Sequence, residues 1–185
     1  MSPIVTRAAI ATLALAAGSA FAVPGVIDTD TYAGHTYKLL SADTWTASED
    51  YAVSALGAHL VTVNDAAEND WLIARFGSSS SLWIGLRRTA PHASTFAWAN
   101  GEAVSYTNWS SGEPNDCGAC IGDPDGEQFT HTYTSGLWND LGNFSDYSGA
   151  KYGVVEIAGV PEPGSSTLLL AGAGMLGLLA RRRSR

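Results

Sequence analysis

The segment of residues 112–140 restricts the fold of this chain most, because its oxygen-bearing side chains lie on separated stretches that must meet to act together. These side chains, three carboxylates and two amides, are Glu113, Asn115, Glu127, Asn139 and Asp140. Ca²⁺ takes about 6–8 oxygen ligands from such groups, backbone carbonyls and water. Mg²⁺ fits less well because it prefers a small rigid octahedron, and softer metals would require His or Cys. The sequence therefore predicts a calcium site closed by two segments of one loop.

Three short motifs occur in a fixed order along the chain. They are Trp-Ile-Gly-Leu at residues 83–86, Glu-Pro-Asn at residues 113–115 and Trp-Asn-Asp at residues 138–140. Each alone is weak, since Pro and Asn are also common in ordinary turns. Together they resemble the C-type lectin-like domain family. The resemblance implies an α+β fold with two helices, two small antiparallel sheets and a long ligand-binding loop.

The order of predicted elements also indicates an α+β protein, with helices first and short strands afterwards. Capping-box patterns start helices at Thr46 and Asp65, and Gly57 and Gly77 end them. Predicted strands cover residues 36–40, 60–63, 82–86, 96–98, 137–138 and 152–157. The Asn-Gly pair at residues 100–101 indicates a hairpin turn. The resemblance implies that the first and last strands pair, which would place the ends of the domain close together.

The resemblance also assigns roles within the loop. Glu113 and Asn115 take the Glu-Pro-Asn roles, which in this family accompany mannose-type sugars, and the peptide bond before Pro114 is expected to be cis. Asn139 and Asp140 take the Trp-Asn-Asp roles.

The same five side chains would bind Ca²⁺ and sugar. Each of two adjacent sugar hydroxyls can coordinate the ion, donate to a carboxylate and accept from an amide. Glu127 fits the middle acidic position, although Asp123 or Asp125 in the longer intervening segment could substitute.

The cysteines depart from the family pattern. Val53, Phe129, Asn143 and Val155 stand roughly where the two family disulfides would be, and Val53 is expected to pack against Val155 instead. Cys117 and Cys120 lie in the inserted segment. A local disulfide suits an exported protein. A redox pair would require a strand-to-helix junction, and a zinc site about four ligands, of which only His131 is at hand.

Both ends of the chain carry targeting patterns. Residues 1–22 have a basic start, an apolar stretch and a small-residue site that predicts signal-peptidase cleavage after Ala22. Residues 161–185 contain Pro161-Glu162-Pro163, an uncharged stretch and terminal arginines. This arrangement resembles the PEP-CTERM sorting signal of Gram-negative bacteria. It implies transient anchoring in the inner membrane by a short helix, cleavage by an exosortase, and release to the cell surface or exopolysaccharide matrix. The domain between them would cover residues 23–160.

Charge and composition narrow the functional classes. The net charge of −8 argues against nucleic acid, whose affinity depends on Lys and Arg. The sequence presents no catalytic set: its four histidines are scattered and no Gly-x-Ser-x-Gly elbow occurs. The tryptophans at positions 83, 98, 109 and 138 are expected in the core. Two hypotheses follow: a calcium-dependent lectin that binds a glycan or exopolysaccharide, or a calcium-stabilised protein-interaction and adhesion module that binds no sugar.

Overall fold

The computed structural model describes residues 23–144 and 146–159. Its helices are α1 (Trp45–Leu56), α2 (Ala66–Leu72) and the one-turn α3 (Gly118–Ile121), and a π-helical turn (Ile73–Gly77) extends α2. Its strands are β1 (Val26–Tyr32), β2 (His35–Ala42), β3 (His59–Leu60), β4 (Ser81–Arg88), β5 (Phe96–Trp98), β6 (Phe129–Thr132), β7 (Trp138–Leu141) and β8 (Lys151–Ile157). The predicted α+β class is confirmed.

The strands form one mixed sheet in the order β1-β2-β8-β4-β6-β7, with β3 paired to β8 and β5 paired to β4. Two antiparallel groups are recognisable, as predicted, but the parallel pairing of Ser81–Trp83 with Lys151–Gly153 joins them. The long β4 is central to this arrangement, because β5, β6 and β8 all pair with it. The position of β4 fixes that of the loop between β5 and β7.

The first helix begins two residues earlier than predicted. Thr44, not Thr46, is the N-cap, and its side chain accepts from the backbone N–H of Ala47. Gly57 ends the helix in the left-handed conformation at φ 62°, as the sequence predicted. The second helix begins at its predicted cap, where the Asp65 side chain accepts from the backbone N–H of Glu68.

The prediction that Val53 packs against Val155 is wrong. Val155 is fully buried, whereas Val53 is 48% exposed. The buried position of this turn of α1 is Ala52, and the next residue is rotated by about 100° to the solvent side. Ala55 is exposed as well.

The other predicted disulfide replacement consists of two separate contacts with α1. Phe129 stacks on Trp45 with ring centroids 4.6 Å apart. Asn143 accepts from the backbone N–H of Thr46 at 3.1 Å and donates to its hydroxyl at 2.8 Å. These contacts hold the start of α1 against the sheet without a covalent link.

The two ends of the domain are offset along β2, so the expectation that they lie close together is wrong. The strand predicted first is β2, and it does pair with β8, but the unpredicted β1 precedes it. Val26 lies opposite Leu40, whereas Ile157 lies opposite Thr36. These two positions on β2 are separated by about 13 Å along the strand.

The core consists of two clusters of buried side chains. One includes Trp98 and Trp138, and the other includes Trp83. These three tryptophans are at most 2% exposed, and Trp109 is half-buried against Trp138. The tryptophans are therefore packing residues, as predicted. The predicted Asn-Gly turn forms, with the Gly101 N–H bonded to the Trp98 carbonyl at 3.1 Å, but no strand follows it.

Candidate functional site

The candidate site lies where the loop after β5 returns to the end of β7. Backbone bonds tie this loop to Trp138: Ser110 donates to the Trp138 carbonyl at 2.9 Å, and the Trp138 N–H donates to the Asn108 carbonyl at 2.8 Å. The Trp138 indole donates to the Asn69 side chain at 2.8 Å, which fixes β7 against α2. The Glu-Pro-Asn and Trp-Asn-Asp segments are thereby brought side by side.

All five predicted side chains belong to one hydrogen-bonded network. Asn115 donates from its amide to Glu113 Oε1 at 2.9 Å, and its backbone N–H donates to Asp140 Oδ1 at 3.1 Å. The N–H of Cys117 faces both Asn115 Oδ1 at 2.9 Å and Glu127 Oε2 at 2.8 Å. Asn139 donates to the backbone carbonyl of Asp140 at 2.6 Å.

Of the acids considered for the middle position, Glu127 is the one that joins this network. Glu127 is buried, and its N–H donates to Asp116 Oδ1 at 3.0 Å. The two alternatives lie apart from these contacts, since Asp123 instead accepts from the Asp125 N–H at 3.0 Å. The peptide bond between Glu113 and Pro114 is cis, as predicted.

Burial and mutual repulsion perturb the acidic groups. Burial raises the pKa of Glu127 to about 7, with the nearby charges of Asp140 and Glu113 adding to the effect. Burial likewise raises the pKa of Glu113, followed by the charge of Asp140. Carboxylates that disfavour each other's charge in this way are stabilised when a cation lies between them.

One acceptor atom supports a cation more directly. Glu113 Oε2 is buried and has no hydrogen-bond partner, a state that costs about 1–3 kcal/mol when nothing compensates it. Within residues 23–144 and 146–159, no three His, Cys, Asp or Glu side chains form a metal-holding group by themselves. A cation at this site would therefore draw on the two amides and on backbone carbonyls as well, which is the mixed set that suits Ca²⁺.

His131 sets the orientation of the Asn139 amide. Its Nδ1 faces the Thr132 carbonyl at 3.1 Å and must donate, which leaves Nε2 as an acceptor for the Asn139 amide nitrogen at 3.3 Å. The neutral ring is stable here because burial lowers the pKa of His131 to about 4. Since the amide nitrogen of Asn139 is engaged, its oxygen is available as a ligand.

Two residues near the site were not predicted from the sequence. Arg88, the last residue of β4, donates to Asp140 Oδ2 from a side chain that is 4% exposed. The signal that could have found it is a pair of adjacent arginines directly after the Trp-Ile-Gly-Leu strand of an acidic chain. Tyr133 is 39% exposed and packs edge-on against His131 with centroids 5.2 Å apart. Burial and then the charges of nearby carboxylates, Glu113 first among them, raise the pKa of Tyr133.

The inserted segment is folded onto the site. Cys117 and Cys120 form a disulfide across the one-turn α3, with Cα atoms 5.2 Å apart. His92 binds this segment from outside, with Nδ1 2.8 Å from Asp116 Oδ2 and Nε2 3.0 Å from the Pro124 carbonyl. The disulfide thus begins at the residue whose N–H contacts two of the predicted ligands.

The fold and this loop define a C-type lectin domain. The sequence profile of the Lectin C-type domain matches residues 41–146, more than half of the chain, and the chain belongs to this family. Domains of this family generally bind Ca²⁺ and generally lack enzymatic activity. Residues 159–183 match the PEP-CTERM protein-sorting motif.

Known relatives agree with this assignment. The chain is 31% identical to Lectin BRA-3 of Megabalanus rosa over 124 residues, which cover 63% of this chain and 70% of that lectin. It is 36% identical to the low affinity immunoglobulin epsilon Fc receptor of Mus musculus over 90 residues, which cover 49% of this chain and only 25% of the receptor.

Among solved structures, the cow C-type carbohydrate-recognition domain of CD23, determined in the presence of GlcNAc2Man3 oligosaccharide, is similar. The TM-score is 0.58 at 26% sequence identity, and the match covers 71% of this chain and 94% of that domain.

The predicted targeting segments lie outside the described residues. These are the signal peptide of residues 1–22, the Pro161-Glu162-Pro163 motif and the membrane helix of residues 165–180. Within the described part of the chain, the helices are too short or too polar to cross a membrane.

Proposed function

We propose that this protein is a calcium-dependent carbohydrate-binding module with a preference for mannose-type sugars. Glu113, Asn115, Glu127, Asn139 and Asp140 hold one Ca²⁺ ion and contact the sugar in this proposal. The observation that carries it is the buried, unpartnered Glu113 Oε2, beside a second carboxylate whose charge is disfavoured in the metal-free protein.

The chemistry of a sugar diol suits the arrangement of these groups. Two adjacent hydroxyls can replace water on Ca²⁺, donate to the Glu113 and Glu127 carboxylates or to the Asn139 amide oxygen, and accept from the Asn115 amide nitrogen. Alternating acceptors and donors around one ion favour a diol over a simple anion. The oligosaccharide present with the cow domain supports this choice of ligand class.

The proposal includes export. In it, signal peptidase cleaves after Ala22, the apolar C-terminal stretch holds the chain in the inner membrane, and an exosortase cleaves near Pro161-Glu162-Pro163. The match to the PEP-CTERM motif supports this route. The domain would then act at the cell surface of a bacterium or in its exopolysaccharide matrix. Single sites of this kind are usually weak, so display in many copies would raise retention.

The second candidate is a surface protein-interaction and adhesion module in which Ca²⁺ only orders the loop. The hydrogen bonds between the loop and the protein's own groups favour this alternative, since they support much of the loop's structure. Fold by itself does not distinguish the two functions.

Calorimetric titration of the purified protein with Ca²⁺, followed by a glycan array with and without chelator, tests the proposal. We expect saturable binding of one ion and retention on mannose-type glycans that chelator abolishes. Asn139→Ala and Glu113→Gln should each weaken calcium binding by about tenfold or more, because each removes a ligand oxygen or its charge. Glu102→Gln, which changes an exposed acid outside residues 112–140, is the matched control.

Two outcomes would refute parts of this reading. Calcium binding without glycan retention would leave the interaction module as the function. A wild-type protein that takes up no calcium would remove the metal from both candidates.

A further inference from the structure

The guanidinium of Arg88 is surrounded by oxygens from four separate points of the chain. Its Nε donates to the Glu127 carbonyl at 2.8 Å and lies 3.7 Å from Asp116 Oδ1. Its Nη1 and Nη2 donate to the Ala93 carbonyl and to Asp140 Oδ2. One side chain therefore joins β4, the turn before β5, the inserted segment and β7.

Burial makes these contacts obligatory. The Arg88 side chain is 4% exposed and the Asp140 side chain is fully buried. Removing either charge would leave the other buried without compensation, which is strongly destabilising. The guanidinium also lies over the Phe96 ring, 4.8 Å from its centroid, so one face is covered by an aromatic ring while its edge faces oxygens.

Three donors contact the Asp140 carboxylate. Its Oδ1 accepts from the Asn115 N–H at 3.1 Å, and its Oδ2 accepts from the Asp116 N–H at 3.1 Å in addition to Arg88. The unpartnered acceptor of the site is on Glu113. Arg88 thus places positive charge at Asp140 and Asp116, whereas its contact with Glu127 is to the backbone carbonyl.

We infer that Arg88 is a built-in cation that organises the site loop before any metal binds. It supplies positive charge at Asp140 and Asp116, while Glu113, Glu127 and the remaining lone pair of Asp140 Oδ1 are left for a single exchangeable ion. The inference rests on the proposed function only for the identity of that ion. Arg88 is a positioning residue, since it contacts the loop and not the sugar.

Hydrogen exchange measured by mass spectrometry on the purified protein tests this role. Peptides spanning residues 112–128 report on the N–H groups of Asn115, Asp116 and Cys117, which bond within the site. With chelator present, these peptides should be protected in the wild type. They should exchange about tenfold faster or more in Arg88→Met, because the loop loses the cation that joins its parts.

Two comparisons separate this role from a general effect on folding. Arg87→Met, which changes the exposed neighbour on the same strand, should leave the peptides of residues 112–128 unchanged. Added Ca²⁺ should restore protection to Arg88→Met, because the proposed ion also contacts Asp140 and supplies positive charge there. Peptides from α1 and β8 should stay protected throughout.

Several results would overturn the inference. These are equal loop protection in Arg88→Met and wild type under chelator, an unprotected loop in the wild type, and loss of protection across α1 and β8 as well. Failure of the proposed function is distinguishable, because a protein that binds no calcium still gives the chelator comparison between wild type and Arg88→Met.

Discussion

His131 should make the stability of the metal-free protein depend on pH. Burial lowers its pKa from 6.5 to about 4, so between these values the unfolded chain binds a proton that the folded chain does not. The contribution of His131 to stability is therefore complete above pH 6.5 and is lost as the pH falls toward 4. Between about pH 7.5 and about pH 5 the loss amounts to about 2 kcal/mol.

Glu127 acts in the opposite direction. Because its folded pKa is raised to about 7, its contribution is present at low pH and is lost as the pH rises through 7. The pH profile of the wild type alone would therefore mix the two effects. A comparison with His131→Gln isolates the imidazole, since glutamine does not titrate and its amide oxygen can still accept from Asn139.

Urea unfolding in chelator at about pH 7.5 and about pH 5 is the assay. We expect the stability advantage of wild type over His131→Gln to shrink by about 2 kcal/mol at the lower pH. His92→Gln is the control with the opposite sign, because hydrogen bonding to Asp116 raises the pKa of the exposed His92. An advantage that is equal at both pH values would refute the reasoning on His131.

Three further predictions concern the strand, the helix and the sugar. Gly85→Ala should destabilise by about 1–3 kcal/mol in chemical denaturation, because its Cβ would lie 2.5 Å from the Leu60 carbonyl oxygen; Gly25→Ala, with open space around it, should change little. Asp65→Ala should cost about 1 kcal/mol through loss of the α2 cap, measurable in the same assay and largely restored by Asp65→Asn. Tyr133→Ala should reduce glycan retention without changing calcium affinity in calorimetry, and Tyr133→Phe should retain binding, since the exposed ring beside the site offers a stacking surface.

The sequence predicted those parts of the fold that depend on local chemistry. Asp65 caps its helix and Gly57 ends the other because caps and left-handed glycines act within a few residues. The start of α1 was misplaced because Thr44 and Thr46 are both acceptable caps. Contacts with Asn143, 97 residues away, occupy the backbone N–H and hydroxyl of Thr46 and leave the cap to Thr44.

The sequence identified the motif residues that meet in the candidate site, but not the residues that position them. Glu113, Asn115 and Asn139 could be identified because their motifs are contiguous in the chain. Arg88 and His131 could not, since their roles depend on partners that β-sheet pairing brings to them. Arg88 reaches Asp140 only because β4 and β7 both pair with β6. His131 reaches Asn139 because these two residues are opposite each other in the β6–β7 register.

These supporting residues explain why some side-chain oxygens of the loop are left without a hydrogen-bond donor. His131 occupies the nitrogen of the Asn139 amide, and Asn115 satisfies only one oxygen of Glu113. Arg88 neutralises Asp140, so under the proposed function an entering cation would meet acceptors that the protein has oriented and not filled. Relief of the unpartnered Glu113 oxygen then contributes to the binding free energy, and little loop ordering remains to oppose it.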